Sequence, residues 1–333
     1  MTPAQTINRR LVLVAVVVAL VTGTAAVSAA LRGAPGKGSG AGSTASAFFD
    51  ADGQPILKPA AAHPSTASPE RWVGPQGRTG QFVVTCLYSH SAPDDPIVHH
   101  GMPGMSHPHD FYGATEVDAD STAASLVGTQ TTCNKTVDTA AYWQPTLYDH
   151  GRALHPSEVA AYYRPAPGVA PTAVRTMPTG LSMITGNFEA TTPQAGDATG
   201  WTCGSSGKLS DDPPTCHSSA PLHLVLTFPD CWDGRYLDSV DHHSHVDYSA
   251  GGRCPEGFPV HIPQITTSFK FPVYGTGHDL TLGSGNIYSA HGDFFNAWEP
   301  AGLKREIDHC IHRDAVCDLA SNREEEELFA ANP

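Results

Sequence analysis

The residues best equipped for chemistry lie between His99 and Phe111, where four histidines, two glycines, two prolines and an aspartate fall within thirteen positions. Proline and glycine make this poor helix material, so the stretch reads as an ordered loop entering a short extended segment. In that segment His107 and His109 are two residues apart, which places both imidazoles on one face of a strand. Pro108 between them lacks an N–H and points to an edge or a strand start. Two imidazoles followed by the Asp110 carboxylate can hold a metal or relay protons.

Two further segments pair the same residue types: Asp241-His242-His243-Ser244-His245, and His291-Gly292-Asp293. Together they nominate His107, His109, Asp110, His242, His245, His291 and Asp293 as the catalytic set. In a metal reading His107, His109 and one of His242, His245 or His291, with His291 the preferred third donor, hold a divalent transition ion such as Zn²⁺. The ion lowers the pKa of nearby water, and Asp293 or Asp110 serves as base or orienting partner. In a metal-free reading a His–Asp pair, or two carboxylates drawn from Asp110, Asp230, Asp233, Asp241 and Asp293, act as acid and base on a glycan. Trp232, Asp233, Tyr248 and Trp298, with Phe111, stand beside these segments as candidate sugar contacts. Against this, a single histidine is more often a surface or structural residue, and large aromatics mostly pack in cores.

These side chains need rigid neighbours. Gln81–Tyr88, Thr139–Tyr148, Glu158–Arg164 and Leu222–Pro229 have the β-branched and aromatic content of strands. Phe258–Pro263 and Gln264–Val273 read as a strand pair, the second with Ile265, Thr267, Phe269, Phe271 and Val273 on one face. Only Gly302–Cys310 and Asn322–Ala330 look helical, with a short helix or turn near Ser121–Leu126. Short strands separated by turns predict an all-β domain, a disulfide-stapled sandwich or jelly roll with long loops and a few short helices.

Composition narrows the partners. Among 333 residues the formal charge is −14 with 19 basic residues, which argues against nucleic acid. Arg9-Arg10 before the apolar run Leu11–Val21, ending in small residues by Ala30, describe a signal peptide over residues 1–30, or an N-terminal anchor as the one route to a membrane. A Gly/Ser/Ala/Pro-rich linker follows over 31–70, then one domain over 71–320 and an acidic tail over 321–333. Eight cysteines fit an exported, oxidised protein. Pairing by sequence neighbours gives Cys86–Cys133, Cys203–Cys216, Cys231–Cys254 and Cys310–Cys317, leaving no thiol nucleophile. There is no Gly-x-Ser-x-Gly elbow, phosphate loop or dinucleotide fingerprint.

Five motifs in order carry a family resemblance. They are Cys86-Leu-Tyr-Ser-His90 with Ala92-Pro-Asp-Asp-Pro-Ile-Val98, Ser106-His-Pro-His-Asp-Phe111, Asp230-Cys-Trp-Asp-Gly234, Leu237-Asp-Ser with Asp241-His-His-Ser-His245, and His291-Gly-Asp-Phe-Phe-Asn-Ala-Trp298. This set resembles DUF1996, a domain family of unknown function in secreted bacterial and fungal proteins. The resemblance covers about residues 71–318 and implies an extracytoplasmic protein, with glycan context by analogy to members joined to carbohydrate-binding modules. It supplies no catalytic residues. The expectation is therefore an exported enzyme that cleaves an extracellular or cell-wall polysaccharide by hydrolysis or elimination. The alternative is a surface protein that binds a metal or carbohydrate without turnover.

Overall fold

The computed structural model describes residues 48–49, 55–62, 65–70, 80–194, 196, 198–204 and 208–317. The expected signal segment, the expected helix over 322–330 and the acidic tail lie outside them. Among the described residues no helix is long and apolar enough to cross a membrane.

The described residues are mostly β, with sixteen strands among them: β1 (Gln81–Ala92), β2 (His109–Gly113), β3 (Ala141–Pro145), β4 (Leu147–Asp149), β5 (Arg152–Leu154), β6 (Glu158–Arg164), β7 (Ser182–Gly186), β8 (Thr199–Cys203), β9 (Leu222–Thr227), β10 (Cys231–Trp232), β11 (Val246–Asp247), β12 (Val260–His261), β13 (Gln264–Lys270), β14 (Leu280–Leu282), β15 (His291–Phe295) and β16 (Val316–Cys317). One large sheet runs β7-β15-β3-β2-β1-β6-β13-β9-β8, with β16 added in parallel to the start of β1. β1 is long because it serves two neighbours. Its first half pairs with β6, and beyond a bulge near Tyr88–His90 its second half pairs with β2.

The sheet curls until it nearly closes, as expected of a strongly twisted antiparallel sheet with a buried concave face. Thr185 on β7 donates its hydroxyl to the Thr227 carbonyl on β9 at 2.8 Å. Closure is tightest at Gly292 of β15, where a Cβ would lie 2.3 Å from Leu226 Cδ1 of β9. The main core fills the curl with Phe82, Tyr142, Tyr163, Leu226, Phe269, Phe294 and Trp298.

A second, smaller core lies on the outer face of β2, β3, β15 and β7. There Phe111, Trp143, Ile184 and Phe295 are covered by Ile97, Val117 and the short helix α1 (Ala123–Leu126). Those four strands are consequently buried on both faces, so polar residues such as Asp110, Gln144 and Asp293 are buried along with the apolar ones.

The disulfides pair as sequence neighbours: Cys86–Cys133, Cys203–Cys216, Cys231–Cys254 and Cys310–Cys317. Two expectations are corrected. The segment 258–263 does not pair with the strand that follows it; β12 joins β10 and β11 in a separate three-stranded sheet, and β13 lies between β6 and β9. Only Ile262 and Pro263 separate β12 from β13, and a β-branched residue followed by proline does not suit the positive φ that a two-residue hairpin turn requires. The stretch 31–70 is also not linker throughout. Lys58 exchanges backbone hydrogen bonds with Asp238 and Val240, Phe48 packs on Trp232, and Glu70 accepts from Gly251 N.

Gly292→Ala forces a methyl into the fully buried Leu226. It is expected to lower unfolding stability by about 1–3 kcal/mol, measured by denaturant titration at unchanged m-value.

Candidate metal centre

The site stands on the outer face of the sheet, and strand register explains why its members meet. On β2, His109 and Phe111 share one face while Asp110 and Tyr112 share the other; on β15, His291, Asp293 and Phe295 share a face. Phe111 pairs with Trp143, and Trp143 with Asp293. His109 pairs with Pro145; continuing the β3–β15 ladder by one side-chain step brings His291 level with the same proline. Pro145 stands between two imidazoles, presents no long side chain, and lets them lean together until their centroids are 5.6 Å apart.

His107, just before β2, completes the cluster. Its Nε2 lies 3.1 Å from His291 Nε2, and His109 Nε2 lies 3.4 Å from the same atom. A tetrahedral ion with metal–nitrogen bonds of 2.0–2.1 Å sets its nitrogens about 3.3–3.4 Å apart.

The tautomers point the same way. His109 Nδ1 donates to the Asp94 carbonyl at 2.9 Å, and His291 Nδ1 to the Ser289 carbonyl at 2.9 Å. With each proton held on Nδ1, the Nε2 lone pairs face one another across a gap that no shared proton bridges. That is a ligand-ready arrangement with backbone carbonyls orienting the rings. Burial holds all three imidazoles neutral: it is the largest cause lowering His107 to about 4, His291 to about 3 and His109 well below its ordinary value.

Below the imidazoles sits Asp293, 1% exposed. Neither of its carboxylate oxygens has a hydrogen-bond partner among the described residues, and Oδ2 is 4.0 Å from His291 Nε2. The Nε1 of Trp143, its register neighbour, is likewise buried without a partner. A buried carboxylate with no donor is costly unless a cation meets it. Burial first, and the nearby Asp95 second, push its carboxyl well above the ordinary value. Asp95, His109 and Asp293 themselves form a group with donor atoms within 4.8 Å of one another.

The loop that carries His107 is built to be rigid. Asp95 Oδ1 accepts from Ile97 N and Val98 N at 2.9 Å, and Asp94 Oδ1 accepts from Gly104 N. Gly101 and Gly104 take φ values of +73° and +77° at its turns, conformations that favour glycine. The mouth is open on one side: His107 is only partly buried, and Phe188, 49% exposed, lies with its ring 6.4 Å from that of His107 and 6.1 Å from that of His291.

Other nominated residues are placed elsewhere. Asp110 points from the opposite face of β2 and accepts from Thr146, Gln144 and Ser91, with His155 beside it. His245 is fully buried, bonded to Ser239 Oγ and the Ser182 carbonyl. Its neighbour His242 pairs with Asp238 rather than with the cluster. Asp241 caps its own turn through Ser239, His243 and Ser244. Trp298 is wholly buried, its indole donating to Tyr163 Oη, and Trp232 is buried with its indole on the Tyr236 carbonyl. Tyr248 Oη donates to the Thr227 carbonyl, and Asp233 is ion-paired with Lys58. These four have structural partners and do not line the histidine cluster. Asp230 is bonded to Ser249 N and Gln264. Sequence reading missed Asp95, which looked like turn material between two prolines, and Phe188, which lies in a polar stretch without periodicity.

The family model for "Domain of unknown function (DUF1996)" matches residues 95–298, more than half of the 333-residue chain, and this span contains every residue of the cluster. No curated protein and no solved structure matches.

The two buried aspartates should behave oppositely in metal-free protein. Asp110→Ala strands three donors and is expected to cost about 1–3 kcal/mol, whereas Asp293→Asn replaces a buried carboxyl that has no hydrogen-bond partner among the described residues and should leave the melting temperature unchanged or higher by calorimetry.

Proposed function

The chain belongs to the DUF1996 family, and from the chemistry of its site we propose that it is an exported protein holding a divalent transition metal on His107, His109 and His291, which it uses to cleave an extracytoplasmic polysaccharide. The observation that carries the metal reading is the convergence of three Nε2 atoms at 3.1 and 3.4 Å, with both buried rings held on carbonyls through Nδ1. An all-nitrogen set of this kind suits zinc or copper better than magnesium or calcium.

The residues fit such an ion: neutral imidazoles supply the donors, and the Asp293 carboxylate supplies the negative charge that the buried face otherwise leaves unanswered. An ion so held supplies Lewis-acid chemistry, acidifying nearby water and polarising a bound oxygen. His107, partly exposed, and the Phe188 ring form the accessible side, where a flat apolar face suits a sugar ring. Four disulfides fit an oxidising compartment, and the signal-like residues 1–30 support export.

One observation favours a second reading, metal binding without turnover. If Asp293 enters as a fourth donor the coordination closes, as in structural sites.

Chelator-stripped protein titrated with Zn²⁺ is expected to bind one equivalent. The melting temperature should rise by an amount equivalent to about 2.7 kcal/mol at one hundred times Kd. His107→Ala and His291→Ala should each weaken binding at least about tenfold. Failure of the wild type to take up Zn²⁺ or Cu²⁺, or indifference to both substitutions, overturns the metal centre. Reducing ends or unsaturated products released from a polysaccharide panel only by metal-loaded protein identify the enzyme. Stoichiometric metal without product leaves the binding protein.

A further inference from the structure

We propose that the cleft lined by His242 and Asp238 is a second ligand site, built for a small, mostly apolar molecule with one hydroxyl that donates to His242 Nε2. It stands apart from the metal reading, though the two share a turn. The Asp95 carboxylate belongs to the group with His109 and Asp293, while the following residues Pro96 and Ile97 line the cleft.

The cleft encloses about 180 Å³, and its walls are largely apolar, with Phe49, Leu57, Ile97 and Phe295. At about 30 Å³ per water this is room for about six waters, enough for a single six-membered ring. Its polar lining includes Ser121, Thr122 and Ser182 and, beside them, a dyad. His242 Nδ1 lies 3.0 and 3.1 Å from the two carboxylate oxygens of Asp238. Asp238 is itself held by Ser239 N at 2.7 Å, and its carbonyl accepts from Lys58 N.

Two oxygens on one ring nitrogen place a proton on Nδ1. Burial opposes a second proton on the ring, but the Asp238 hydrogen bond and charge outweigh it and raise the pKa, so the Nε2 lone pair belongs to the neutral imidazole and the probes are read in alkaline buffer. That Nε2 has no hydrogen-bond partner among the described residues, although the side chain is only 20% exposed. His242 also adopts φ = +56°. A non-glycine residue held in the left-handed region marks a position that the surroundings impose, and such positions concentrate at binding and catalytic sites. The backbone is strained, the carboxylate sets the tautomer, and the free nitrogen belongs to a side chain that lines an apolar cleft. A neutral hydroxyl on a ring satisfies all three features. A second carboxylate would be repelled by Asp238, and a purely apolar ligand would leave Nε2 unpaired.

Phenol and benzene serve as matched probes with full-length protein, followed by calorimetry and by ¹⁵N-detected resonances of the histidine rings. The expected result is phenol binding about tenfold or more tighter than benzene, with the His242 Nε2 resonance shifted and those of His109 and His291 unmoved. His242→Phe, which keeps a ring but removes the acceptor, should bring the two affinities together. Ala123→Leu, at another lining position, should weaken both probes. The site is overturned if phenol shows no preference over benzene, if neither probe binds, or if phenol shifts the His109 and His291 resonances instead.

Discussion

The functional face depends on one register, that of β2, β3 and β15 side by side. It puts His109 and His291 on either side of Pro145 and on the same face of the sheet. Slipping β2 or β15 by one residue would turn an imidazole into the main core and bring Asp110 or Gly292 outward. Gly292 enforces the alignment from beneath, because only a glycine lets β9 approach where Leu226 touches it. Two of the three imidazoles are therefore held by the sheet itself, and the loop before β2 supplies the third, His107.

Burial gives that geometry its chemical character. Three imidazoles kept neutral in a dry face, above a carboxylate without donors, are costly as an isolated protein feature. Two other buried charged groups are answered: Lys135 and Glu306 pair at 2.9 Å, and Asp110 is ringed by hydroxyl and amide donors. Asp293 departs from that practice where three Nε2 atoms also converge. The same composition of histidine and aspartate thus splits into two electrostatic situations. Where carboxylate and imidazole touch, as in Asp238–His242 and Asp110–His155, they satisfy each other. Around Asp293 they face a common point.

How far the sequence could be read varied with the range of the interaction that decided each feature. Glu158–Arg164 was legible to its end residues because its β-branched and aromatic content is local. The helix near 302–310 begins at Pro300 and ends in a π-helical turn over Ile307–Ile311. Cysteine pairing followed sequence neighbours because short loops close cheaply. The 258–273 pairing failed because partner choice between strands is a non-local matter, settled by which apolar faces the curl can bury. Trp232 and Trp298 lay beside histidine motifs in sequence, yet a large aromatic next to a polar motif carries no signal of which way its face will turn.

What the sequence by itself determined is local: strand-forming segments, turn chemistry at the glycines and prolines, the oxidised cysteines, and the same-face placement of His107 and His109 that a two-residue spacing imposes. The tertiary structure alone decided which distant histidine joins them, because His291 arrives through a strand pairing nearly two hundred residues away, while His242 and His245 were drawn off by Asp238 and Ser182. Spacing constrains side chains along one strand, but only packing of the whole sheet determines which strands become neighbours.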